Sequence, residues 1–106
     1  MVDPADDPVL RRLRQALEAE YGPRLERVVL FGSRARGDAG PESDYDVAVF
    51  IDRLGEQWEE LGRLAGIGTA ILFDTGAVIS AKPFPAGAWQ TPSPLMGEIR
   101  RDGRIL

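Results

Sequence analysis

Apolar residues recur at helical spacing through Val9, Leu10, Leu13, Ala16 and Leu17, with Asp7-Pro8 before the run and Gly22-Pro23 after it. An N-cap carboxylate followed by proline at the first helical position opens a helix, and Gly-Pro closes one. The pattern therefore predicts a first amphipathic helix. Arg24 to Phe31 carries Leu25, Val28, Val29, Leu30 and Phe31 and stops at Gly32-Ser33, which reads as a largely buried strand followed by a short turn or helix. Gly37 to Ser43 is dense in Gly, Pro, Asp and Glu and predicts a loop. Tyr45 to Ile51 resumes as a strand, with Val47, Val49 and Ile51 alternating with Asp46, Ala48 and Phe50. After a cap at Asp52, the residues Leu54, Trp58, Leu61, Leu64, Ala65, Ile71 and Leu72 keep helical spacing. This predicts one helix with Trp58 in the core, with a break near Gly66 left open because Gly62, Gly66 and Gly68 each cost up to ~1 kcal/mol relative to Ala. Ala77 to Lys82 reads as a third strand closed by Pro83 and Pro85, and Ser93-Pro94 opens a last helix ending at Gly103.

The predicted order is thus α, β, short α, β, α, β, α. With no repeat and no linker, it implies one α/β domain over residues 1–106 whose small sheet is covered by helices. Composition agrees, since 43% apolar and 28% charged residues are near globular averages. A chain of this length builds one modest core, so anything it acts on meets it at an open face or arrives with a partner. No apolar run is long enough to span a bilayer, and the opening residues lack a signal peptide's blocks, so the expected address is cytoplasmic with no membrane contact.

Histidine and cysteine are absent, which removes imidazole bases, thiolate nucleophiles, disulfides and the commonest zinc ligands. The available chemistry rests on carboxylates, hydroxyls and cations. A net charge of −4 argues against an extended nucleic-acid footprint, whose affinity would come from many cations releasing counterions. The cations are twelve Arg and one Lys, Lys82, a skew that codon bias explains as well as phosphate recognition does.

The stretch Gly32-Ser33-Arg34-Ala35-Arg36-Gly37 sets a Gly-Ser pair where a buried strand gives way to a turn. There, free amides and a hydroxyl can converge on phosphate oxygens. Asp44 and Asp46 follow at i, i+2 on the entry to the next strand and leave the same face. Two carboxylates 5 Å apart repel by ~3 kcal/mol at an effective dielectric of 20, so such a pair is best kept beside a cation. Mg²⁺ takes one or two carboxylates plus phosphate oxygens, which suits an Asp-x-Asp facing a Gly-Ser turn. Plainer readings of the same residues are an ordinary turn and a solvated strand start.

Gly32-Ser33-Arg34-Ala35-Arg36-Gly37, followed by Ser43-Asp44-Tyr45-Asp46-Val47, resembles the G-S-x-A-x-G and S-D-x-D-apolar signature of the minimal nucleotidyltransferases of the DNA polymerase β superfamily. The close resemblance covers about residues 24 to 51. It implies a mixed sheet and transfer of a nucleoside monophosphate from ATP or another nucleoside triphosphate to a hydroxyl. It also implies that Gly32 and Ser33 hold the triphosphate, that Asp44 and Asp46 hold Mg²⁺ and carry catalysis, and that Arg36 contacts phosphate. The partner it implies is a second protein, in many members a helical HEPN-domain protein encoded by the adjacent gene and countered by the nucleotidyltransferase as antitoxin. A homodimer is left open.

One departure stands out. The resemblance implies a third acidic residue on the next strand, whereas that strand reads Ala77-Val78-Ile79-Ser80-Ala81-Lys82. Ser80 takes the expected place, Lys82 leaves the same face two residues on, and Asp74 is a weaker candidate from the preceding turn. A hydroxyl neither accepts a proton near neutral pH nor holds a metal as an anion does. Two functions therefore remain open, a transferase and a catalytically degenerate binding module acting by protein contact, with a phosphate-binding domain unrelated to transfer behind them. Arg100, Arg101 and Arg104 at the end of the last helix are expected to offset its negative end or else to meet phosphate or a partner, and Trp89 to anchor a loop or a partner.

Overall fold

The computed structural model describes residues 6–106. Helix α1 (Pro8–Tyr21) begins where expected, with the Asp7 side chain accepting from the amides of Val9 and Leu10 and proline in the first turn. Strand β1 (Leu25–Phe31) follows a 3-10 turn and leads into the single-turn helix α2 (Ser33–Arg36). Strand β2 (Tyr45–Ile51), helix α3 (Gln57–Thr75), strand β3 (Ile79–Pro85), helix α4 (Pro94–Asp102) and the two-residue strand β4 (Arg104–Ile105) complete the chain.

The sheet is mixed, in the order β3-β2-β1-β4. β1 runs antiparallel to β2 and β4, while β2 and β3 run parallel and are joined through α3. A parallel pair requires such a crossover. Both faces are covered. Leu10, Leu13, Leu17 and Tyr21 of α1 and Leu64 and Ile71 of α3 pack on Val28, Leu30, Val47, Val49 and Ile51. Met96 and Ile99 of α4 pack with Val29, Phe31, Ala48 and Phe50 on the other face. The central strand β2 is thereby buried on both sides from Val47 to Ile51, which is why its sequence is nearly all apolar after Asp46.

Four expectations need correction. The third strand does not stop before Pro83 but runs through Pro83 and Pro85, because β3 is an edge whose one sheet neighbour is β2. Prolines two residues apart turn the same side of the backbone to the open edge, where no amide is needed. Helix α3 starts at Gln57, capped by the Glu56 carboxylate on the Glu59 amide rather than by Asp52, and it is unbroken at Gly66. Leu64 and Ile71, on either side of that glycine, are both buried and hold the helix in register. Trp58 is not core: it is 79% exposed, and the buried position in that turn belongs to Glu60. Arg104 lies beyond the last helix, in β4, with Nε donating to the Ala35 carbonyl at 3.1 Å.

Glu60 is fully buried, with Arg24 at 3.5 Å and Arg63 bonded to its other oxygen. Arg24 also donates to the carbonyls of Asp52 and Arg53, so this cluster fixes the β2–α3 connection at the sheet end remote from Gly32.

Trp58→Ser should shift the free energy of unfolding by no more than ~0.5 kcal/mol, whereas Leu17→Ala, at a fully buried position, should cost about 2–5 kcal/mol. Paired urea melts check both values, and a large loss at Trp58 would restore it to the core.

Candidate active site

Strand β1 ends at Gly32, whose backbone takes φ 74 and ψ −157, a conformation that favours glycine. A Cβ there would collide with Oδ2 of Asp46, which sits across from Phe31 in the β1–β2 register. The glycine therefore makes room for a carboxylate at the mouth of the turn. In α2 the amides of Ala35 and Arg36 both donate to the Gly32 carbonyl at 3.1 Å, and those of Gly37 and Asp38 donate to the Ser33 carbonyl. The Ser33 and Arg34 amides precede these bonds, at the start of the turn where helix geometry supplies no partner within it.

The loop that delivers Asp44 is held by residues whose roles the sequence did not reveal. The Arg34 guanidinium donates from Nε to the Ser43 carbonyl at 2.8 Å and from Nη2 to Pro41 at 3.3 Å, and it lies 3.9 Å over the Tyr45 ring. Tyr45 in turn donates its hydroxyl proton to Asp7 Oδ2 at 2.9 Å, so the α1 cap, the loop and the start of β2 form one chain of contacts. Burial, together with the hydrogen bond to Asp7, raises the Tyr45 pKa. The local signal was present in Arg34 and Tyr45 flanking the loop, but only the fold stacks one upon the other.

Asp46 is the site carboxylate whose environment disfavours its charge. Burial pushes its pKa up; Lys82 opposes that, Asp44 adds to it, Arg36 opposes it and Glu98 adds to it. These four charged groups thus face Asp46 from β3, the loop, α2 and α4. Glu98, on α4, is a further residue that helical spacing alone did not single out. It pairs with Arg36 Nη1 at 3.7 Å, while Arg36 Nε reaches Asp38 at 3.3 Å.

On β3, Ser80 lies directly opposite Asp46 in the parallel register, and Lys82 lies opposite Ala48. Both share the face of Asp46, and the Lys82 ammonium reaches across the small Ala48 to within 6.0 Å of the Phe31 ring centre on β1. Asp74 is not part of this group, since it forms an ion pair with Arg12 of α1 on the opposite face of the sheet. Trp89 packs edge-on against Phe50 at 5.5 Å under the Arg27 guanidinium at 4.2 Å, and Arg100 donates to its carbonyl. It serves as a loop anchor away from Asp46.

The donor set near Gly32 consists of oxygen ligands, two of them carboxylates, one partly desolvated. Among the described residues, no cluster of three or more acidic, histidine or cysteine side chains could hold a metal. Two carboxylates with open positions left for phosphate and water fit Mg²⁺, which rarely takes an all-protein cage.

A nucleotidyltransferase domain model matches residues 10–83. A Methanocaldococcus jannaschii protein named "Putative protein adenylyltransferase MJ0604" is 30% identical over 76 residues, spanning 72% of this chain and 70% of that protein. A second from the same organism, "Putative protein adenylyltransferase MJ0141", is 35% identical over 46 residues, 43% of this chain and 46% of that protein. A crystal structure of a toxin–antitoxin with AMP-PNP superimposes with a TM-score of 0.59 at 19% identity, over 90% of this chain and 69% of that one. A Sulfolobus solfataricus structure described as a putative nucleotidyltransferase gives a TM-score of 0.59 at 20% identity, over 99% and 87%.

Replacing Asp46 by Asn should raise the melting temperature of the metal-free protein at pH 7, because a raised pKa means that folding disfavours the charged carboxylate. The gain should shrink as pH falls through the folded-state pKa of Asp46, where the wild type is itself neutral. Melts at pH 7 and in the acid range check this, and a lower melting temperature for the variant at pH 7 would make the charge structural.

Proposed function

The chain belongs to the nucleotidyltransferase domain family, and from that premise we propose that it binds a magnesium nucleoside triphosphate, ATP first among the candidates, and transfers the nucleoside monophosphate to a hydroxyl on a partner protein. The observation that carries the reading is the fit of the Gly32 turn against the Asp46 carboxylate, with Asp44 beside it. The names of the M. jannaschii relatives favour a protein acceptor, the toxin–antitoxin neighbours favour a protein partner, and the motif resemblance adds that this partner is a HEPN-domain protein from an adjacent gene. In this proposal the whole chain acts as one domain in the cytoplasm; no helix of the described residues is long and apolar enough to cross a membrane.

Mg²⁺ held by Asp44 and Asp46 would supply neutralisation of phosphate charge and polarisation of the α-phosphoryl group. The amides of Ser33 and Arg34 and the Ser33 hydroxyl are the donors for the triphosphate. Arg36, tethered to Asp38 and Glu98, lends positive charge from the side. The acceptor hydroxyl oxygen forms a bond to the α-phosphorus as the bond to the α–β bridging oxygen breaks and pyrophosphate leaves. Its proton passes to water or to a base that arrives with the acceptor, because Ser80 opposite Asp46 cannot take it at neutral pH. That same serine favours a second reading, in which the domain binds nucleotide and partner without turnover.

Incubation with α-labelled ATP, Mg²⁺ and the adjacent gene's product separates the two readings, since label on the partner that needs Asp44 and Asp46 requires transfer. Titration of ATP with Mg²⁺ should show at least a tenfold loss of affinity in Asp44→Asn and in Asp46→Asn, and roughly fivefold in Ser33→Ala, about the net value of one hydrogen bond. Equal binding by all three variants would reduce the motif to a turn.

A further inference from the structure

Lys82 is the chain's one lysine, and its position is specific. It stands on the edge strand, on the face of Asp46 and Ser80, and its stem crosses Ala48 so that the ammonium hangs beside Phe31 at the end of β1. Among the described residues no carboxylate lies within ion-pairing distance of its nitrogen, whereas Arg36, the other cation facing Asp46, is committed to Asp38 and Glu98. The site face therefore offers one cation with its hydrogen-bonding capacity unspent, and it is exposed to an incoming ligand. An ammonium carries three donors on a flexible stem and meets phosphate as a point charge.

The geometry points to Lys82 as a direct ligand of the nucleotide's phosphates, standing on β3 in place of a second divalent cation, so that this site takes a single metal ion between Asp44 and Asp46. The inference rests on the nucleotidyltransferase reading and adds to it the count of metal ions and the residue that replaces the missing one. Its physical basis is charge. A triphosphate carries about four negative charges and one Mg²⁺ cancels two of them; Ser80, opposite Asp46, is a far poorer ligand than a carboxylate for a second dication that would cancel the rest. A fixed ammonium on the same face cancels part of the remainder without needing a further anionic ligand.

The competing role is internal. If Lys82 serves only to neutralise Asp46, removing it leaves phosphate affinity intact and tightens divalent-ion binding, because the ammonium then repels the metal. The test compares wild type, Lys82→Met and Lys82→Arg by calorimetric titration with ATP, ADP and AMP in Mg²⁺. Mn²⁺ is counted by its electron paramagnetic resonance with and without ATP, and circular dichroism establishes that each variant is folded. Expected are a loss of roughly tenfold or more in ATP affinity for Lys82→Met, a smaller loss for AMP, recovery of most of the affinity in Lys82→Arg, and about one Mn²⁺ per bound ATP in the wild type.

Unchanged or tighter ATP binding by Lys82→Met, or two Mn²⁺ per ATP in the wild type, overturns the inference. The two levels of argument fail differently. ATP binding that needs Asp44 and Asp46 but not Lys82 removes only the lysine's role, whereas a wild type that binds no ATP in Mg²⁺ removes both.

Discussion

The structure turns on how closely the end of β1 approaches the start of β2. At that point the backbone must leave a buried strand, reverse into a turn and pass a carboxylate, all within the space of Gly32. A side chain there would meet the Asp46 carboxylate, and the positive φ of Gly32 would strain any residue with a Cβ whatever the space. The backbone of Asp46 is fixed in turn, because β2 continues from it directly into residues buried on both faces of the sheet. The packed core thus sets where Asp46 stands, and the left-handed turn at residue 32 lets β1 end against it.

Rigidity around this contact comes from side chains outside the motif itself. Asp7 has two tasks: one carboxylate oxygen caps α1 and the other accepts the Tyr45 hydroxyl. Tyr45 presents its ring to Arg34, and Arg34 gathers the carbonyls of Pro41 and Ser43. The later part of a loop rich in glycine and proline, which would otherwise sample many conformations, is thus held by one guanidinium. Asp44 stays exposed, yet it is carried on an ordered arm next to Asp46, whose raised pKa registers its charge. Loss of Arg34 would loosen that arm without touching either carboxylate, which separates holding the site from being the site.

Much of this was legible in the chain where local chemistry and tertiary structure agree. Caps at Asp7 and Ser93, each followed by proline, mark helix starts that the fold keeps. The apolar run after Asp46 reads as a buried strand because both sheet faces are covered. Reading failed where the tertiary setting overruled the local signal. Pro83 and Pro85 look like a strand end until β3 is known to be an edge, and Gly66 looks like a break until buried side chains are seen on either side of it. Trp58 and Glu60 exchange expected places because two arginines, Arg24 from before β1 and Arg63 from α3, make a carboxylate tolerable inside. Strand β4 has two residues and no periodicity to read. At the site, the sequence aligns Gly32, Ser33, Asp44 and Asp46 along the chain and the resemblance points to Ser80 on the next strand, but nothing local brings Glu98 in from α4 or stacks Arg34 on Tyr45.

The facing charges explain how neighbouring carboxylates can stand at the end of a packed sheet. Asp44, Asp46 and Glu98 would together impose a net repulsion on the end of the sheet, and burial makes the cost greatest at Asp46. Arg36 and Lys82 oppose it from two sides, one bonded to neighbouring carboxylates and the other held only by its stem and the Phe31 ring. The paired arginine offsets the protein's own acids while keeping its charge on the site side of the turn. The lysine lowers the cost of Asp46 through space while keeping its hydrogens available. The same ammonium opposes the charge of Asp46, while Ser80, directly opposite Asp46, brings no further carboxylate to compete for it.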